Sequence, residues 1–109
     1  MSALKEQQCK PCEGGVAPLS QTQARDMMSQ IHADWALSGD GKSIQREFTF
    51  TNFYRTMGFV NAIAFIANAE GHHPDLEVGY GRCHVTWTTH AIDGLSDNDF
   101  ICAAKMDAL

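Results

Sequence analysis

Residues 52–90, NFYRTMGFVNAIAFIANAEGHHPDLEVGYGRCHVTWTTH, decide the fold, because the period of the apolar positions changes inside them. Phe53, Met57, Val60, Ala64 and Ala67 recur at helical spacing, and Phe59, Ile63 and Ile66 widen that apolar face. Gly71 stands where the residue after a helix end would stand, with Pro74 just beyond, so the helix is expected to stop there. Leu76, Val78 and Tyr80 then alternate, Gly79 and Gly81 mark a turn, and Cys83, Val85, Trp87 and Thr89 alternate again. A period of two on both sides of a glycine turn predicts a hairpin.

Working outward toward the N-terminus, Ser20 and Gln23 have the spacing of a capping box. Ala24, Met27, Met28 and Ile31 follow on one face of a helix. Residues 35–38 and 43–50, joined by Gly39-Asp40-Gly41-Lys42, predict a second hairpin in which Ile44, Phe48 and Phe50 share a face. On the C-terminal side, Ser96 followed by Asp99 signals a last helix built on Phe100, Ala103 and Ala104. The order α-β-β-α-β-β-α predicts an α+β two-layer sandwich, a four-stranded antiparallel sheet with helices on one face. Residues 1–19 read as an irregular tail and residues 20–109 as a single domain, which is as much as a chain of 109 residues supports.

Apolar residues make up 44% and charged residues 19%, a globular balance. The longest clean apolar run, residues 62–67, is too short to cross a bilayer, and the first residues lack an apolar signal region, so a cytoplasmic protein with no membrane partner is expected. The formal net charge of −5 is concentrated in residues 70–99, where six acids face one base, Arg82. Phosphate-backbone binding needs clustered Lys and Arg, so nucleic acid is not expected as a partner. Cys9 and Cys12 form one CKPC pair, while Cys83 and Cys102 stand alone; free thiols are the expectation, since a structural zinc usually takes two such pairs.

The acidic stretch also carries four of the five histidines. His72 and His73 end the long helix just before the third strand, and an antiparallel hairpin turning near residues 79–81 returns His90 to the same edge. A helix end and a strand end thus bring His72, His73 and His90 to one rim, with Glu70, Asp75 and Asp93 close in sequence. Such a cluster can hold one ring as acid and another as base. A zinc site from these three and a purely structural role are the alternatives, although no HxH, HxxxH or HExxH spacing supports the former. His32 and His84 read as structural; with His84 and His90 expected on one strand, about 20 Å apart, they share no site.

The segment EGHHPDLEVGYGRCHVTWTTHAIDGLSDNDF resembles the signature of the pterin-4a-carbinolamine dehydratases. That signature is His-His-Pro, an aromatic after five residues, a histidine after nine more and an acid after eight or more, met here by His72-His73-Pro74, Tyr80, His90 and Asp99. The likeness extends back through Trp35 and covers about residues 20–107, and the CKPC tail is similar to the bacterial form that accompanies phenylalanine hydroxylase. The resemblance implies a hydro-lyase that removes water from 4a-hydroxytetrahydropterin to give the quinonoid dihydropterin, with no metal, nucleophile or redox cofactor. It implies His72, His73 and His90 as catalytic residues with Asp99 in support. It also implies pterin contacts from His72, His73, Pro74, Thr89, His90, Ala91, Ile92 and Asp99. The family commonly has an acid four positions before the first histidine; Asn68 stands there, and Glu70 is the expected substitute. A homodimer or homotetramer functionally linked to phenylalanine hydroxylase follows from the same likeness. So does an alternative, a non-catalytic dimerisation or coactivator-type protein serving a hydroxylase or transcription regulator.

Overall fold

The computed structural model describes residues 3–10 and 16–109, so Cys12 of the CKPC pair lies outside the described residues. Helix α1, Gln21–Met28, opens on the expected capping box: the Ser20 hydroxyl accepts from the Gln23 amide at 3.1 Å, and the Gln23 side chain accepts from the Ser20 amide at 2.8 Å. A cap of this kind stabilises a helix by about 1 kcal/mol. The first hairpin is shorter than its sequence suggests. Strand β1 is only Ala36–Leu37, paired with Gln45 and Ile44 of β2, Ile44–Thr49. Trp35 is drawn out of the strand because its indole N–H donates to Asp107 at 2.8 Å and its ring packs edge-on to Phe48.

Helix α2, Phe53–Glu70, starts at Asn52, whose side chain accepts from the Arg55 amide, and ends at Gly71 with φ at 67°, where a left-handed residue is needed. Its buried stripe is Thr56, Ile63 and Ala67, flanked by half-buried Phe59, Val60 and Ile66. The expected stripe is therefore rotated: Phe53 is 49% exposed and Ala64 faces solvent. The helix is apolar nearly all round, so hydropathy does not choose its phase. Tertiary packing does, through Phe59 wedged against Phe48 and Phe50 at centroid distances of 4.5 and 5.2 Å.

Strands β3, Asp75–Val78, and β4, Arg82–Trp87, form the second hairpin, and the sheet order is β1-β2-β4-β3, all antiparallel. Residues opposite one another share a face. Ile44 and Phe48 therefore join Trp87, Cys83, Val85 and Leu76 over the helices, while Gln45, Glu47, His84 and Thr86 line the polar face. On β3 only Leu76 is half-buried, whereas Val78 is exposed, as is Tyr80 in the turn that follows, because among the described residues β3 is an edge strand with no neighbour beyond it. β4 stops at Trp87, so His90 does not continue the strand as expected. It begins a 3-10 turn, His90–Ile92, closed by the Thr89–Gly94 bridge with Asp93 at φ 51°. Gly94 is required there, since a Cβ would lie 2.7 Å from the Pro18 ring.

Helix α3, Asp97–Asp107, is buried on nearly every side, from Asn98 through Ala104 and again at Met106. The sequence accounts for only one of those faces. The N-terminal segment covers another: Leu4, in a 3-10 turn at Leu4–Glu6, is buried in the core, and the Lys5 carbonyl accepts from Lys105 at 2.9 Å. Residues 3–10 thus form an irregular arm docked on α3. Among the described residues no helix is long and apolar enough to cross a membrane.

Candidate active site

Gly71 turns the chain out of α2, and the His72 amide still donates to the Ala67 carbonyl at 3.1 Å, which fixes the direction in which His72 leaves the helix. Its ring lies flat on Trp87, centroids 5.5 Å apart and planes 12° apart. There Nε2 meets Asp99 Oδ1 at 2.6 Å, with Asp99 fully buried and the His72 side chain 11% exposed. The other carboxylate oxygen, Oδ2, accepts from the Thr89 hydroxyl at 2.7 Å and from the Ser96 amide at 3.0 Å. Asp99 therefore serves two elements at once. As the third residue of α3 it completes the capping box with Ser96, and as an acceptor it orients a histidine from 27 residues away. The α3 N-terminus and three donors compensate the buried charge. A carboxylate accepts only, so Nε2 of His72 is the donor, and in the neutral ring Nδ1, which has no partner among the described residues, is the acceptor.

His73 points the other way, as adjacent residues in extended chain must, and its Nε2 lies 3.1 Å from the Asn68 carboxamide oxygen. His90 is exposed, with Nε2 3.5 Å from Asp75 Oδ2, an open pair of small energetic weight. The three imidazoles meet around one cleft of about 230 Å³, whose walls also include Thr88, Thr89 and Ala91. Lys10 and Asn98 line it as well. They are joined by a double hydrogen bond: the Lys10 amide donates to Asn98 Oδ1 at 3.0 Å, and Asn98 Nδ2 donates to the Lys10 carbonyl at 2.6 Å. A roomier cavity of about 300 Å³ beside Leu4 and Ile31 offers less chemistry, because Asp107 there is spent on Arg46, Trp35 and the His32 amide.

Other expected residues sit elsewhere. Glu70 accepts from the Cys9 amide at 2.7 Å and lies 3.9 Å from Lys105, outside the cleft lining. Asp93 is turned to Lys42 at 2.9 Å, and that contact holds the Lys42 ammonium above the ordinary lysine range. Of the carboxylates close in sequence to the histidines, only Asp75 reaches one. Pro74 does not line the cleft, and Ile92 lines a neighbouring cavity of about 260 Å³. Asp99 reaches the cleft only through His72. Among the described residues no three His, Cys, Asp or Glu side chains are placed to share a metal ion. His84 bonds Gln45 at 3.1 Å and Glu47 at 3.5 Å on the polar sheet face, a structural role, and His32 accepts from the Asp34 amide.

Sequence reasoning missed Lys10, Asn98, Thr88 and Trp87. The alternation of β4 places Trp87 inward, but nothing local says which ring will lie on it. Lys10 and Asn98 are 88 residues apart and carry no local signal at all.

A family profile described as Pterin 4 alpha carbinolamine dehydratase matches residues 17–109. A protein of Legionella pneumophila (strain Lens), provisionally named pterin-4-alpha-carbinolamine dehydratase, is 54% identical over 108 residues, covering 99% of this chain and 96% of its own. One from Nitrosomonas eutropha with the same provisional name is 53% identical over 106 residues, covering 97% and 92%. Among solved structures, a transcriptional coactivator/pterin dehydratase from Brucella melitensis superposes with a TM-score of 0.78 at 28% identity, over 84% of this chain and 96% of its own. A pterin dehydratase-like protein identified as a RuBisCO assembly factor shares the fold, with a TM-score of 0.60 at 23% identity over 71% and 89%.

Proposed function

Because the chain belongs to the pterin-4-alpha-carbinolamine dehydratase family, we propose that it is a hydro-lyase that converts a 4a-hydroxytetrahydropterin to the quinonoid dihydropterin and water. The observation that carries this reading is the meeting of His72, His73 and His90 around one cleft, with buried Asp99 behind the first. The cleft volume is somewhat below the roughly 300–1,000 Å³ of sites for drug-sized ligands, which suits a compact bicyclic heterocycle.

The elimination needs one proton delivered to the departing 4a-hydroxyl and one removed from ring nitrogen N5. His72 is held with Nδ1 as an acceptor, the form a general base requires, and Asp99 balances the charge the ring gains on taking the N5 proton. His73 and His90, on the open side, supply the acid. Each correctly placed group contributes about 10²–10⁴-fold, enough for an elimination that already proceeds unaided. Backbone groups at Thr89 and Ala91 would align the pterin edge. On the same reading the protein acts in the cytoplasm as a homodimer or homotetramer and recycles the pterin used in phenylalanine hydroxylation.

The test is to follow freshly generated carbinolamine by ultraviolet absorbance, with and without the protein. Accelerated decay that is lost in His72→Ala, in a chain that still folds, supports the reading; decay at the spontaneous rate refutes it. The second reading, a binding or coactivator role, draws on the Brucella neighbour's description and on exposed Phe53, Tyr54 and Phe65 of α2. It requires no turnover, so the same assay separates the two.

A further inference from the structure

We propose that Cys9 and Cys102 are an oxidisable thiol pair, closed to a disulfide by exchange with a small-molecule disulfide, and that this bond fastens the N-terminal arm to the wall of the histidine cleft. The two sulfurs belong to residues 93 apart in sequence yet lie 3.6 Å from each other, which is van der Waals contact. A disulfide needs about 2.05 Å between sulfurs, so closure takes a movement of about 1.5 Å.

Four contacts hold the segment in register for it. The Cys9 amide donates to Glu70 at 2.7 Å, the two Lys10–Asn98 bonds clamp the next residue, and Cys9 Sγ lies 3.7 Å from the Asn98 carbonyl. The third described thiol, Cys83, is free and buried in β4. Cys9 is half-buried and is the one a reagent can reach, while Cys102 is buried beneath it. The hydrogen bond with Cys9, followed by burial, pushes the Cys102 thiol well above its ordinary value. Cys102 therefore stays protonated while Cys9 reacts.

The exchange runs in two steps. The Cys9 thiolate attacks one sulfur of the small disulfide, forming a mixed disulfide and releasing one small thiolate. Cys102, giving up its proton, then attacks Cys9 Sγ and displaces the second small thiolate. Two protein thiols and one small disulfide become one protein disulfide and two small thiols, with the two thiol protons carried off by the latter. The product joins the arm to α3 one turn beyond Asn98. Lys10 and Asn98, which both line the cleft, are then held by a covalent bond as well as by hydrogen bonds.

The folded full-length protein is incubated with glutathione disulfide, its free thiols are blocked, and its peptides are analysed by mass spectrometry. A peptide pair linking residues 9 and 102, with an intact mass lower by about 2 Da, is expected. So is slowing of hydrogen exchange at the Cys9 and Lys10 amides by about tenfold or more. The linkage should persist in Cys12→Ser and vanish in both Cys9→Ser and Cys102→Ser, so that one poorly folding variant does not decide the matter. A link from Cys9 to Cys12 alone, stable mixed disulfides alone, or a 9–102 link formed only in denaturant would each overturn the proposal. Carbinolamine turnover is not among the readouts, so this result is independent of the dehydratase reading.

Discussion

Asp99→Asn removes one negative charge from the interior and keeps the shape of the side chain. Thr89 and Ser96 both donate to Oδ2, at 2.7 and 3.0 Å, so the amide oxygen must take that position and the amide NH₂ must face His72. At the 2.6 Å contact, Nε2 of His72 can then only accept, which moves the ring proton to Nδ1. The cleft would meet a donor where an acceptor stood. On the proposed mechanism this removes the general base and lowers kcat by about 10²–10⁴-fold. The stability change is smaller. Three charge-assisted bonds, worth about 1.5–3 kcal/mol each, become neutral ones worth about 1 kcal/mol, and relief of burying a charge offsets part of that, leaving a loss of about 1–3 kcal/mol. The melting temperature should fall by about 5–15 °C. Carbinolamine decay, thermal melts and ¹⁵N shifts of the His72 imidazole measure the three effects. Turnover at the wild-type rate, or a ring that keeps its proton on Nε2, would refute the reasoning.

Three further outcomes follow from the geometry. His73→Ala and His90→Ala remove exposed rings, so urea midpoints should imply stability within about 0.5 kcal/mol of the parent while kcat falls by about 10²–10⁴-fold; unchanged turnover in both would remove the acid from the mechanism. Gly81→Ala places a Cβ 2.8 Å from the Phe50 carbonyl oxygen, and the overpacking should cost about 1–3 kcal/mol, seen as a lowered melting temperature; an unshifted melt contradicts it. Burial holds the Cys83 thiol above its ordinary 9.0, and the Cys9 hydrogen bond and burial do the same for Cys102. The unfolded chain therefore releases these protons first as pH rises. Stability is fully present below about pH 9 and should fall above it by up to about 1.4 kcal/mol per pH unit for each thiol; urea midpoints that stay level from neutral to alkaline pH would oppose this.

Where an interaction spans a few residues, the chain announces it. Ser20 with Gln23 and Ser96 with Asp99 close their caps over three residues, and the alternation from Cys83 to Trp87 is set by the pleat, so those helix starts, the core of each hairpin and the element order were legible, while the ends of β1 and β4 were not. The meeting of His72, His73 and His90 was legible too, because a hairpin returns to the edge it left. Tertiary structure decided which carboxylate His72 receives. Glu70 and Asp93, close by in sequence, went to Lys105 and Lys42, while Asp99, 27 residues on, took His72. It alone decided the phase of α2, a helix apolar nearly all round, through Phe59 against the sheet. It also docked the arm on α3, putting Lys10 at the cleft and Cys9 beside Cys102. Such contacts depend on three-dimensional packing across tens of residues, and no local pattern encodes their partners.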